Sequence, residues 1–352
     1  MKQKLLIIDK CQFGYLTDSY KWCEYLRDEY DITMLCIDSG HKKFEMDGVK
    51  IQYVNFKMPY IFRAILFTII TLWKVFFFNG KILVVNYPTC SVLKRLLPWK
   101  KMHIDVRTMS VCDVEKKRIF ENNRIRRDCS AFDSVSAISQ GVADELGFQN
   151  ISIVPLGSDI ISDAKKDYSG ELKLLYVGTF RNRNLEQTLQ GLCLFIDKHN
   201  DIALHYDIVG SGSSGQLEEL KGIASKLNIE QYVTFHGFKP YDELKTFFDS
   251  CNVGVCYVPI VECYQNQPPT KTYEYILSGL FCLATDTKAN RELITSDNGV
   301  LIQDTPEAFC EGIEKYLTIR KNLDEIKIRK SLEFGLWKTI VNENLKPIIE
   351  KI

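Results

Sequence analysis

The sequence predicts an α/β protein built of two doubly wound, Rossmann-like domains facing each other across a cleft. Three observations carry this expectation. Short β-rich runs alternate with helical or polar segments, the pattern of parallel sheets covered on both faces. The alternation breaks at a polar linker and then starts again. The length, 352 residues, exceeds that at which a single hydrophobic core usually stops growing.

In the first half the β-rich runs are KLLIID (Lys4 to Asp9), DITMLCID (Asp31 to Asp38), VKIQYVN (Val49 to Asn55), KILVVN (Lys81 to Asn86) and MHIDVR (Met102 to Arg107). Helix-like SYKWCEYLRDEY lies between the first two, and SAFDSVSAIS, QGVADELG and ISIVPLG follow. The stretch SDIISDAKKDYSGE, Ser158 to Glu171, is polar, lacks a hydrophobic period and holds a Ser-Gly turn signal, so it marks the domain boundary. The pattern restarts with KLLYVGTF, a helix from about Leu185 to Lys198, ALHYDIVGSG and the helix QLEELKGIASKLN. It continues with YVTFHGF, the helix DELKTFFDSC, NVGVCYVP, a helix opened by PPTK, LFCLATD and GVLIQD. The expected domains are therefore residues 1–158 and 159–331. Residues 332–352, amphipathic and containing Trp337, are expected to form a C-terminal helix packing back toward the first domain.

Hydrophobic residues make up 45% of the chain and charged residues 26%, as in ordinary folded proteins. Lys+Arg and Asp+Glu are equal at 45 each, so no global charge argues for a nucleic-acid partner. The local distribution is uneven: Lys94 to Arg127 holds eleven Lys/Arg against four Asp/Glu. The twelve cysteines include no CxxC pair, and the nearest two, Cys251 and Cys256, border an apolar run. That spacing argues against a zinc site and for buried free thiols in a reducing cytosol. MKQKLLIIDK has no long apolar region or small-residue cleavage site, so no signal peptide is expected.

YIFRAILFTIITLWKVFFF, Tyr60 to Phe78, is nearly all apolar, broken by Arg63 and Lys74. It reads as a buried core helix or as a helix lying in a membrane interface with its two cations reaching headgroups. A true span is disfavoured, because KILVVNYP follows at once and reads as an interior strand of the same sheet.

Three loops at strand ends hold the candidate binding residues. GTFRNRN offers Gly178 for close backbone approach, a following helix N-terminus, and the guanidinium forks of Arg181 and Arg183 for phosphate oxygens. VGSGSSGQ supplies Gly210 and Gly212 between a strand and a helix. Its GSGxxG spacing lies mid-domain with no acidic residue ending a strand about 20 residues on, which disfavours a nicotinamide enzyme. In NQPPTKTYEYILSG, Asn266 to Gly279, a helix beginning near Pro269 or Thr270 would align Lys271, Glu274, Tyr275 and Ser278 on one face. That face would point into the cleft, Lys271 toward phosphate and Glu274 toward vicinal hydroxyls such as those of a ribose. Ile276, Leu277 and Leu280 would turn toward the sheet.

In order and spacing, GTFRNRN, DIVGSGSSGQLEELKGIASKLNIEQYVTFHGF, DELKTFFDSCNVGVCYVP, PPTKTYEYILSGLFCLATD and NGVLI resemble the nucleotide-sugar-dependent glycosyltransferases of family 4 (group 1), which have the GT-B fold. The resemblance covers about Lys173 to Asp304 and extends more weakly over AISQGVADELGFQNISIVPLGSD. It implies a donor pyrophosphate bound by Arg183, with Arg181 beside it, and by Lys271. It puts Gly210 to Gly212 near the base and sugar, and His236, Gly237 and Phe238 in a loop flanking the base. Glu274 matches the glutamate that binds the ribose hydroxyls, and Thr272 and Gly178 fall within the same donor-binding set. The family often has a glutamate eight positions before Glu274, touching the transferred sugar; here that position is Asn266.

The implied reaction is glycosyl transfer with retention. Its main need is stabilisation of the departing nucleoside diphosphate by Arg181, Arg183, Lys271 and a helix N-terminus. No metal and no resident cofactor are implied, the nucleoside-diphosphate sugar of UDP or GDP type being a co-substrate, and no DxD triplet occurs. Asp105 and Arg107, at the end of MHIDVR, are the candidate acceptor contacts, and His103 and His236 lie near the expected cleft loops. The first domain would take a glycan or lipid-linked acceptor. A bacterial surface-polysaccharide pathway fits, with the enzyme cytoplasmic and peripheral on the inner face of the cell membrane. Two rivals stay open: a nucleotide-sugar epimerase of the same fold, and an inactive partner subunit, suggested by Asn266.

Overall fold

The computed structural model describes residues 2–54 and 60–352. The chain divides into two units, Met1–Gly157 with Trp337–Ile352, and Ser158–Leu336. Asn55, at the end of the expected VKIQYVN strand, lies outside the described residues, as does Met1.

Unit 1 begins with β1 (Gln3–Ile8), α1 (Thr17–Leu26), β2 (Tyr30–Ile37), β3 (Val49–Val54), α2 (Tyr60–Phe77) and β4 (Lys81–Val85). It continues with α3 (Ser91–Leu96), β5 (His103–Val106), α4 (Glu115–Cys129), β6 (Ser134–Ala137), α5 (Gln140–Leu146) and β7 (Ser152–Ile153). The seven strands form one parallel sheet in the order β3-β2-β1-β4-β5-β6-β7. Parallel crossovers are almost always right-handed, so reversing direction along the sheet moves the helix to the other face. α1 therefore covers one face, and α2, α3, α4 and α5 cover the other.

The strand cores are apolar on both sides: Leu5 to Ile8, Ile82 to Val84 and Ile104 are at most 1% exposed. This is the continuous apolar pattern expected of strands covered by helices on both faces. α2 packs one stripe inward, through Phe67, Thr71 and Val75, with the Phe67 ring 5.5 Å from that of Tyr87. The segment thus serves as the crossover helix between β3 and β4.

Unit 2 contains β8 (Leu172–Thr179), α6 (Glu186–Lys198), β9 (Leu204–Ser211), α7 (Gln216–Lys226), β10 (Val233–Gly237) and α8 (Lys245–Ser250). After these come β11 (Val253–Cys256), α9 (Thr270–Leu277), β12 (Phe281–Thr285), α10 (Lys288–Arg291), β13 (Gly299–Ile302), α11 (Pro306–Ile319) and α12 (Glu325–Lys330). Its sheet is parallel, in the order β10-β9-β8-β11-β12-β13. Strand order reverses between β8 and β11, the topological switch point at which such sheets form a crevice. α13 (Trp337–Ile340) and α14 (Lys346–Lys351) then complete unit 1. Trp337 is buried, Lys346 pairs with Glu29 and Lys81 donates to the Glu350 carbonyl.

Several elements are shorter than the sequence suggests. MHIDVR forms a strand only over His103–Val106, and ISIVPLG only over Ser152–Ile153. β7 pairs with β6 at two positions and stands last in the sheet order.

Candidate functional site

β8 and β9 are paired along their whole lengths, and the last pairs are Gly178↔Gly210 and Thr179↔Ser211. The two glycine turns therefore leave the sheet side by side at its carboxyl end. Gly210 has φ +151°, and a Cβ there would stand 1.8 Å from the Gly178 carbonyl oxygen. Only glycine lets these backbones run so close. The turns are laced together: Phe180 N–H donates to the Ser211 carbonyl (2.9 Å), and Gln216 Nε2 donates to the Phe180 carbonyl (2.9 Å).

Across the switch point, β11 pairs with β8 only at Leu174 and Leu175. Beyond that, the Val177 N–H donates to the Tyr275 hydroxyl of α9 (2.8 Å). α9 thus fills the gap where the strands part, with Pro269 as its extended N-cap residue. A cavity of about 430 Å³ opens here, walled by the ends of β8 and β9, by Phe238 and Tyr241 after β10, and by Lys271 of α9. Its size lies within the range of small-molecule sites. Lys271 Nζ pairs with the Glu274 carboxylate, Lys271 being partly exposed and Glu274 only 5% exposed. A buried carboxylate beside a reachable ammonium offers one acceptor and one cation to a ligand carrying hydroxyls and phosphates.

The structure brings Gly178, Gly210, Phe238 and Lys271 to one cavity, with Glu274 against Lys271. Arg181 is exposed on its loop, while the Arg183 guanidinium lies over the Tyr264 ring, 4.9 Å from its centroid. Gly212 faces Phe180 and Gln216, where a Cβ would clash with the Gln216 side chain. Gly237 has φ +67° at an irregularity in the β9–β10 register and turns the chain toward Phe238. His236 bonds Asp207 (Nε2 to Oδ1, 2.6 Å) under the edge of the Phe247 ring. Asn266 is half-buried on the loop before α9, a loop tied down by the Ala289 N–H donating to the Gln265 carbonyl (2.8 Å).

Four expectations are corrected. Tyr275 and Ser278 do not share an open face with Lys271; both are fully buried. At about 100° per residue, Glu274 and Tyr275 lie on opposite flanks of Lys271, and the Tyr275 flank is turned onto the sheet over Gly254. The Ser278 hydroxyl accepts from the Ile161 and Ser162 N–H groups of the linker (3.1 and 3.3 Å). Thr272 also points inward, its hydroxyl donating to Asn290 Oδ1 (2.9 Å). Asp105 and Arg107 are interior groups of unit 1: Asp105 accepts from Ser136 and faces Arg107, which pairs with Asp18 and donates to the Val154 carbonyl (2.7 Å). Burial raises the Asp105 carboxyl to about 6, against the opposing pull of Arg107. His103 is likewise enclosed between Ser134 and Ser136 (2.8 and 2.7 Å), and burial lowers it to about 3.

Residues the sequence did not single out are Tyr264, Asp207, Thr179 and Ser211. Asp207 alone left a signal, an acidic residue inside the apolar run HYDIVG. Tyr264 meets Arg183 across 81 residues of chain, which no local pattern reveals. Among the described residues, no group of three or more His, Cys, Asp or Glu could hold a metal ion. All twelve cysteines are free thiols.

Two parallel-sheet domains, one with glycine turns and a cavity at its switch point, define a two-domain α/β protein of the GT-B fold. Residues 171–318, within unit 2, match the family described as Glycosyl transferases group 1. Solved structures share the fold over the whole chain. Sucrose-phosphate synthase from Thermosynechococcus elongatus superposes with a TM-score of 0.77 at 14% identity, covering 99% of each chain. Anabaena HepE in complex with UDP-glucose gives 0.73 at 13% identity over 99% of this chain and all of its own. WaaG, a glycosyltransferase involved in lipopolysaccharide biosynthesis, gives 0.70 at 14% identity over 98% and 99%. A search of curated protein sequences finds no match.

Proposed function

We propose that the protein transfers a sugar from a nucleoside-diphosphate sugar to an acceptor, with retention at the anomeric carbon and without a metal ion. The observation that carries this reading is the cavity at the β8/β11 switch point, where two glycine turns meet Lys271 and Glu274. The glycine turns give a diphosphate backbone N–H groups at close range. Glu274 accepts from the ribose hydroxyls, and Lys271 turns from it to the phosphate. As the bond from the anomeric carbon to the phosphate oxygen breaks, its electron pair goes to the leaving group, and Lys271 with Arg183 stabilises that charge. In a front-face reaction the acceptor hydroxyl attacks on the side of departure and passes its proton to the departing phosphate oxygen, so no protein nucleophile is required. HepE was solved with UDP-glucose, which makes UDP-sugars the first donors to test. The acceptor is a glycan or lipid-linked intermediate of surface-polysaccharide synthesis, met in the cytoplasm at the inner face of the membrane.

Calorimetric titration of the full chain with UDP, GDP and their sugars tests the reading; absence of binding below millimolar concentration would sink it. Glu274→Ala is expected to weaken donor binding by about tenfold or more, the loss of a charge-assisted contact, with an unchanged melting temperature. Unaltered affinity would refute the role given to Glu274.

A further inference from the structure

We propose that unit 1 docks on an anionic lipid surface through the outer stripe of α2, which lies flat in the headgroup region. Phe62, Ile65, Ile69, Trp73 and Phe76 are all exposed and follow one another by three or four residues, so they form one stripe along the helix. From position 62 to 76 the stripe runs about 21 Å at 1.5 Å per residue. The opposite side of α2, through Phe67, Thr71 and Val75, is buried against unit 1, so the helix presents one apolar face and cannot be surrounded by lipid. Trp99, from the segment after α3, extends the patch, its ring 6.3 Å from that of Phe76.

A lipid surface, rather than a second copy, fits this face because of the charges around it. Right-handed crossovers put α2, α3 and α4 on the same side of the sheet. In the basic run from 94 to 127, Lys94 and Arg107 are internal, each paired with an acid. Arg95, Lys101, Lys116, Lys117 and Arg127 stay exposed. Two copies meeting through this face would bring like charges together, since a twofold interface sets the same patch against itself. Anionic headgroups complement the cations, and Phe and Trp side chains suit the headgroup boundary. Within the helix, Arg63 and Lys74 lie near the two ends of the stripe and share one flank of it. The inference deepens the membrane-side acceptor reading above and rests on it only for the purpose of docking.

The test is flotation of the full chain with phosphatidylcholine vesicles with and without phosphatidylglycerol, at low and high salt. Binding only to the anionic vesicles, reversed by salt, is expected. Of the four tryptophans, Trp22 and Trp337 are buried while Trp73 and Trp99 are 67% and 63% exposed, so a blue shift of emission on binding reports this face. Trp73→Ser combined with Phe76→Ser should lower vesicle affinity by about tenfold or more, with the far-ultraviolet circular dichroism and melting temperature unchanged. Equal binding to neutral vesicles, equal binding by the double variant, or a wild-type dimer that the double variant dissolves would each overturn the proposal. UDP-glucose titration without vesicles separates its failure from that of the donor site: intact donor binding with no flotation removes the docking surface alone.

Discussion

Gly210 shows how much a single position can decide. Its backbone, at φ +151° and against the Gly178 carbonyl, leaves no room for a Cβ. Gly210→Ala should therefore destabilise unit 2 by at least about 2 kcal/mol in urea denaturation, because backbone rather than a flexible side chain must move. The cavity proposed for the donor would change with it, since Gly178 and Gly210 both stand on its wall. A buried histidine makes a second residue-scale prediction. Between pH 6.5 and about 3 the unfolded His103 imidazole binds a proton that the folded one refuses, so stability falls as pH drops through that window. The slope is about 1.4 kcal/mol per unit. Burial has raised Asp9 and Asp105 to about 6, so these two work the other way, gaining stability as pH falls from 6 to 3.8. His103→Asn should remove the first component only, so that the stability of the variant rises relative to the wild type as pH falls from 6.5 to 4.5. Parallel slopes for the two proteins would contradict the assignment.

α9 concentrates the argument at the scale of one element. It is eight residues long, and Thr272 to Leu277 are all buried. The Tyr275 hydroxyl takes the Val177 N–H where β11 has already left β8. Tyr275→Phe would leave that buried donor unpaired and should cost about 1–3 kcal/mol by denaturation, with donor affinity little changed if α9 keeps its seat. The glycine turns and the Lys271–Glu274 spacing were legible in the sequence because each follows a strand pattern directly. The inward turn of Tyr275, Ser278 and Thr272 was not. Periodicity gives relative angles around a helix, but not which flank rests on the sheet, and an eight-residue helix in the core has polar residues on both. Asp105 and Arg107 failed for a related reason. A charged pair at a strand end reads as exposed until Asp18 and Ser136 arrive from other elements to enclose it. α2, apolar nearly all round, left its buried side undetermined until the crossover between β3 and β4 fixed it.

Across the whole molecule, the alternation of strands and helices announced two parallel sheets, and the polar stretch after Gly157 coincides with the passage into unit 2. The chain returns to unit 1 at Trp337, where α13 and α14 are held by burial of Trp337, by Lys346 with Glu29, and by Asn344 donating to the Ile153 carbonyl (3.3 Å). Truncation after Leu336 should accordingly lower the melting temperature of unit 1 while leaving that of unit 2 in place, as calorimetry would resolve into two transitions; a uniform shift would argue against this division. The same return has a consequence during synthesis. The ribosome releases Trp337 to Ile352, which complete unit 1, only after every strand of unit 2 has emerged, so the second unit can close on itself while the first still lacks two helices. For that interval unit 1, begun before unit 2, is the less finished of the two.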